Sequence, residues 1–500
     1  MFTSGCRFGI EQTDDIDWVT LLKRILEQGP MLDLPAAARG DELNLSVIER
    51  LIERTLAGQR SSKSVLSLSL AAPLAPAERL LLLRGFLNKL IWSTSADEEY
   101  SGVGAARTLC AEGDSRFVDI REGAARLFED MSLIALDGSP VPLPRLVGGF
   151  AFKPQLPRTT IWQGFGAALF VLPRIAYTRR AARAWLHVTA SKDELSSAAG
   201  RARLAAEACQ ALELLRSGSG TGTQQPAPGL RGGGLPHIEE SVNDWSALVD
   251  GICAEITAGR IEKAVAVRRI AIHEAHLPHP ATVLERLRFE APACTRFALA
   301  VGERMFLGAS PECLVRRSGA RVETEAIAGS LPRIACNAGE PLLWSDKEFA
   351  EHAIVVREIR AALAPFCAQL SSDAGVPLRL RHLLHLRTRF VGTLREPHHV
   401  LDLVAGLHPT PAVGGAPRSA ALAWLDGHEH ADRGLFGGPF GAFDSAGDGH
   451  FIVAIRSGLL HAGVAHLFAG AGIVAGSKAL PEFDETRWKL RGLMAAIGVR

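Results

Sequence analysis

Between Ser64 and Ala71 the chain alternates, with Leu66, Leu68 and Leu70 on one face and Ser67 and Ser69 on the other. Period-two alternation predicts a half-buried strand. Pro76 to Leu90 carries apolar residues at helical spacing behind a proline suited to a first turn, and predicts an amphipathic helix. A second helix is expected from about Lys192 to Leu215, with a strand before it that ends at Leu172-Pro173-Arg174. Residues 1 to about 60 read as helical, starting near Asp14, with the stripe Ile48, Leu51, Ile52 and Leu56. From Ile261 to Ile272 a strand is expected, and strands and helices alternate from there to the end.

The segment SGSGTGTQQPAPGLRGGG, residues 217–234, has nothing to bury and reads as a flexible linker. It divides the 500 residues into an N-terminal lobe (1–216), a linker (217–236) and a second region (237–500). That length is too great for one compact core.

Composition narrows the classes. Apolar residues make up 47% and charged residues 22%, as in ordinary soluble globular proteins. A net charge of +1 gives no reason to expect nucleic acid or an anionic membrane as partner. The eight cysteines form no CxxC pair, which speaks against a zinc ribbon or a disulfide framework and suits a reducing cytoplasm. The first fifteen residues lack the apolar core of a signal peptide, and no apolar run is long enough for a membrane span.

Several stretches carry candidate chemistry. In FLGASPECLVRRSGARVETEAIAGSLPR (306–333) two strands meet at a Ser-Gly turn, and Glu312 lies among apolar neighbours. A carboxylate there either stays protonated, meets a cation, or is simply a turn acid at a strand end. In GRIEKAVAVRR (259–269), Lys263 shares a strand face with Val265, Val267 and Arg269. Two readings fit: a lysine snorkelling from a strand edge, or a desolvated amine able to act as a general base. In KEFAEHAIVVREIR (347–360), Glu348 and Glu351 continue the apolar stripe of Val355 and Ile359. Inward acids there point to a metal or a paired base, with helix-end capping as the alternative. In PEFDETRWKL (481–490), Glu482, Glu485 and Lys489 share one helix face. Two helices offering inward glutamates suit a hard cation, magnesium best of all.

FAGAGIVAGSK (468–478) satisfies GxGxxA but leaves no room for a returning strand, so it reads as a strand end whose bare amides approach an anion. HPTPAVGGAPR (408–418) is a rigid loop carrying His408, and FIVAIRSGLL (451–460) is a strand that places Arg456 to fork a carboxylate. His428-Glu429-His430 reads as a solvated helix end.

Taken together, EKAVAVRR, FLGASPE, ETEAIAGSLPR, KEFAEH, LHPTPAVGGAPR, DRGLFGGPFG, VAIRSG, FAGAGIVAGS and EFDET resemble the chorismate-utilising enzymes, and within them the isochorismate synthases. The resemblance implies an α+β fold of two related lobes, with antiparallel sheets facing each other and helices outside. It implies a cytoplasmic, monomeric isomerase that adds water at C2 of chorismate with loss of the C4 hydroxyl, without an amidotransferase subunit. Its product would feed menaquinone, a siderophore or salicylate. By the same resemblance Lys263 is the base and Glu312 the acid. Glu351 and Glu485 bind Mg²⁺, with Glu348 and Glu482 as supports. Gly470, Gly472 and Lys489 assist the ring carboxylate, Arg456, Gly329 and Ser330 hold the enolpyruvyl carboxylate, and His408 lies beside the ring. Phe436 stands where relatives often carry tyrosine. The alternatives are a salicylate synthase, which goes on to eliminate pyruvate, and a catalytically silent chorismate-binding protein.

Overall fold

Strand pairing carries the architecture. A computed structural model describes residues 45–499 apart from 59–61, 95–97, 137–139, 157–159, 218–236, 240–241, 274–276 and 334–343. The expected linker, apart from Ser217, and the helix start near Asp14 lie outside the described residues.

Two ribbons of antiparallel strands leave the long strand Ala168–Arg180. One runs through Glu98–Ala111, Lys89–Ser93, Thr295–Val301, Arg304–Ser310, Ser457–His461 and Val464–Ile473 to Lys263–His273. The other runs through Leu146–Phe150, Pro439–Phe443, Gly449–Val453, Cys313–Ser318 and Arg321–Pro332 to Leu383–Leu394. Among the described pairs only Val65–Ala71 with Met131–Ala135 is parallel. The ribbons face each other: Phe297 of the first and Phe440 of the second lie 4.9 Å apart, in a core that also holds Phe306, Ile452 and Phe468.

Helices cover the outside. Asp346–Leu363 buries Val355, Ile359 and Leu363 against the second ribbon, and each of these side chains stabilises the fold by about 1.5–3 kcal/mol. Ala479–Ile497 buries Leu490, Leu493 and Ile497 against the first, and Gly498 ends it at φ +92°. No helix among the described residues is long and apolar enough to cross a membrane.

Four local expectations change. Pro76–Leu90 is not a helix: a 3-10 turn covers Ala77–Leu82, and a strand begins at Lys89. Gly85, at φ +87°, adopts a conformation no right-handed helix can contain. Ser67 and Ser69 are buried, because the polar face of their strand is covered too; Ser67 accepts from Thr189 and Ser69 bonds His187. The strand expected to end at Arg174 continues through Pro173 to Arg180. The Lys192–Leu215 helix is broken at Ser197, which caps the second half by accepting from the Gly200 amide.

Candidate active site

The two ribbons converge on a cavity of about 70 Å³. Val265, Val267 and Gly472 form one wall, and Glu312, Gly329, Ser330 and His385 the other. Glu351 and Lys489, from the two outer helices, close its end.

Lys263 opens its strand fully buried, with Nζ 2.9 Å from Glu351 Oε1. Val265 and Val267 follow it on the cavity side, while Ala264 and Ala266 pack into a separate core behind. That alternation is why the lysine points inward, so the snorkelling reading fails. Gly472 lies opposite Val265, where a Cβ would sit 2.1 Å from Glu351 Oε1 and 2.9 Å from Lys263 Cε. Only glycine leaves room for the Lys263–Glu351 pair.

Glu312 occupies the break between Arg304–Ser310 and Cys313–Ser318, and is 3% exposed. Its amide donates to Ser310 Oγ, and its Oε1 has no partner among the described residues. Burial pushes its carboxyl up to about 8, against the pull of Lys263 and with the push of Glu325. Glu312 therefore keeps its proton at neutral pH.

Arg456 sits at φ +54° just before Ser457–His461 and holds His385 Nε2 at 2.9 Å. Burial, with Arg456 and Lys489 nearby, lowers His385 to about 3, so its imidazole is neutral and Nε2 can accept. Its Nδ1 then carries the proton, facing the Gly329 carbonyl at 3.2 Å and Ser330 Oγ at 3.1 Å. Gly329 makes this possible: at φ +75° it forms a bulge that turns Ser330 toward the cavity.

The acids divide their tasks. Glu351 pairs with Lys263, Glu482 with Lys347, and Glu485 with Lys489 at 2.5 Å. Burial, reinforced by Glu485, raises the Glu482 carboxyl despite Lys347. Burial opposes ionisation of Glu485 as well, but Lys489 overcomes it and lowers that carboxyl. Burial would lower the Lys347 ammonium, yet Glu482, Glu485 and Glu351 together hold it up. Three carboxylates from two helices thus act on a single cation. No group of three or more His, Cys, Asp or Glu side chains among the described residues is close enough to enclose an ion. Magnesium needs only one or two carboxylates and takes its remaining oxygens from water and an anionic ligand, so the donor set fits it.

Some expected roles change. His408 does not line the cavity: it is buried between Phe117 and Phe152, and its Nε2 bonds the Phe152 carbonyl at 3.1 Å. Burial lowers it to about 3, which makes it a neutral core histidine. Glu348 turns back to its own helix end, accepting from the Ser345 amide at 2.9 Å as a cap. Glu429 is not solvated. Its side chain, 4% exposed, is clasped by Arg433 at 2.6 Å.

Arg433, His385 and Phe468 line the cavity and were not singled out from sequence; Phe468 stacks on Phe436, which was. Arg433 also donates to the carbonyls of Val413 and Val265, tying the Pro/Gly loop to the Lys263 strand. The RGLFG run carried a signal for Arg433. His385, in an ordinary alternating strand, carried none.

Residues 52–498 match the profile of a family described as chorismate binding enzyme. The chain belongs to the chorismate-binding enzyme family. This member is 36% identical over 403 residues to the salicylate biosynthesis isochorismate synthase of Pseudomonas aeruginosa, covering 79% of this chain and 82% of that one. It is 31% identical to the isochorismate synthase MenF of Bacillus subtilis, over 71% of this chain and 75% of that one. Its fold matches that of MenF, the menaquinone-specific isochorismate synthase from Escherichia coli, with a TM-score of 0.71 and 26% identity over 91% of this chain and 99% of the other. Anthranilate synthase component I from Streptococcus pneumoniae shares the fold, with a TM-score of 0.60. The facing antiparallel sheets with helices outside are the architecture expected of a chorismate-utilising enzyme.

Proposed function

We propose that this enzyme converts chorismate to isochorismate. The observation that carries the proposal is a protonated Glu312 lining the cavity and a fully buried Lys263 whose partner, Glu351, lines the same cavity. Environments that push an acid and a base apart assign their roles. Lys263 takes a proton from the water whose oxygen bonds to C2. The ring double bonds shift, the C4–oxygen bond breaks, and Glu312 supplies the proton with which that hydroxyl departs as water. For the amine to act as base, Lys263 must release Glu351 and be neutral when water arrives.

Glu351 and Glu485 would hold Mg²⁺, which supplies positive charge at the ring carboxylate. Glu482, joined to Lys347, supports that end of the site. Lys489 and the bare backbone of Gly470 and Gly472 receive the ring carboxylate. Arg456, held by His385, receives the enolpyruvyl carboxylate beside Gly329 and Ser330. Phe436 contributes an apolar face in place of a phenol, so Arg456 carries more of that contact. The 217–236 stretch is a boundary in chain order only, since the pairs Phe440–Gly149 and Arg296–Ser93 join strands from either side of it.

The test is incubation of pure protein with chorismate and Mg²⁺, with products resolved by chromatography and mass. Isochorismate that disappears in excess chelator supports the reading. Stoichiometric pyruvate and salicylate would replace it with a salicylate synthase, and unchanged chorismate with a silent binding protein.

A further inference from the structure

A second cavity, of about 380 Å³, lies behind the first, between the end of the Pro280–Glu290 helix, the turn preceding Leu383–Leu394 and the Ala479–Ile497 helix. Arg456 and Lys489 line both cavities, so these two cations form the partition. The outer cavity is also lined by Arg333, Arg379 and Arg381, all exposed, and by a single acid, Glu290, which pairs with Arg381 at 3.2 Å. Among the described residues neither Arg333 nor Arg379 has an ion-pair partner. Five cations against one acid make a positive funnel on a chain whose net charge is only +1.

We propose that this cavity is the entry vestibule of the active site, where Arg333, Arg379 and Arg381 draw in a dicarboxylate and pass its two carboxylates to Arg456 and Lys489. The inference rests on the chorismate reading above, because it takes that substrate's dianion as the ligand. A cleft lined by one sign of charge focuses the field and raises association rates by about 10- to 1000-fold. Among the described residues the two partition cations are held by a neutral imidazole at 2.9 Å and by a carbonyl and Glu485 at 2.8 and 2.5 Å. Arriving carboxylates offer both of them equivalent or stronger partners.

The experiment is stopped-flow binding of chorismate, followed by tryptophan fluorescence, since Trp488 lines the vestibule. Arg333→Glu/Arg379→Glu leaves the Arg381–Glu290 pair in place, and Arg333→Lys/Arg379→Lys keeps the charge. The double glutamate variant is expected to bind about 10-fold more slowly at about 0.01 M salt, with the gap closing near about 1 M. The lysine variant should restore the rate, and dissociation should stay the same. An unchanged association rate at low salt, or a loss that lysine does not restore, overturns the vestibule. Protein that binds chorismate without making isochorismate overturns the proposed reaction and leaves the vestibule to be judged by these rates. Wild-type protein that binds no chorismate overturns both.

Discussion

Lys263 Nζ and Glu351 Oε1 lie 2.9 Å apart, and the lysine has no access to solvent. The pair joins the proposed base to a proposed ligand of the cation. Whatever draws the carboxylate away also strips the amine of its counter-charge. Binding and base activation are thereby linked through one contact, in a place where water cannot screen it.

Lys263→Met keeps most of the buried volume and removes the amine. Isochorismate formation is expected to fall by about 10²- to 10⁴-fold, the range for loss of a general base. Chorismate binding, measured by fluorescence titration, should persist. Full turnover in this variant would remove the assignment.

Glu312→Gln keeps the shape and cannot ionise. Turnover should fall by a similar factor, about 10²- to 10⁴-fold. In the wild type, kcat/KM should decline above about pH 8, where the carboxyl loses its proton. Stability offers an independent check. Below the ordinary value of 4.5 the glutamic acid is protonated folded and unfolded; between there and about 8 the unfolded chain ionises it and the native state does not. Native stability therefore falls as pH rises through that window and levels off beyond it. Urea midpoints across the window should flatten in the glutamine variant, and parallel curves would contradict the burial argument.

Gly472→Ala places a methyl where Glu351 Oε1 would be 2.1 Å away. The carboxylate and Lys263 must shift to admit it. A displacement near 1 Å at reacting groups costs about 10²-fold in rate, so kcat should drop by roughly that factor. The variant should still fold, because the methyl meets side-chain ends and not backbone. A variant as active as the wild type would show that the pair tolerates movement.

His408→Ala separates a core histidine from a ring contact. It leaves the Phe152 carbonyl without its partner and opens a void beside Phe117, at a cost of about 2–4 kcal/mol. The urea midpoint should fall while kcat changes by less than the base and acid variants. A large kcat loss at unchanged stability would return His408 to the substrate.

The ordered motifs from EKAVAVRR to EFDET were enough to indicate the family, while alternation put Lys263 on an apolar strand face and only the fold decided that it is buried there. Period-two and helical patterns are local properties, readable wherever a single segment decides which face is buried. Pro76–Leu90 shows where that stops: its leucines suit a helix, but a glycine in left-handed conformation and a neighbouring strand took the segment elsewhere. Glu348 and Glu351 share one stripe, yet one caps its own helix and the other meets Lys263.

What the chain carries by itself is the identity of its acids, bases and glycines and the face each presents. What only the folded molecule decides is who meets whom. Glu312 holds its proton because strands distant in sequence bury it, and its field comes from Lys263, Glu325, Lys489 and Arg456. Arg433 and Glu429 shed water because the Pro/Gly loop and the Lys263 strand supply carbonyls around them. Desolvation and Coulomb energy depend on distances between segments that no local pattern encodes.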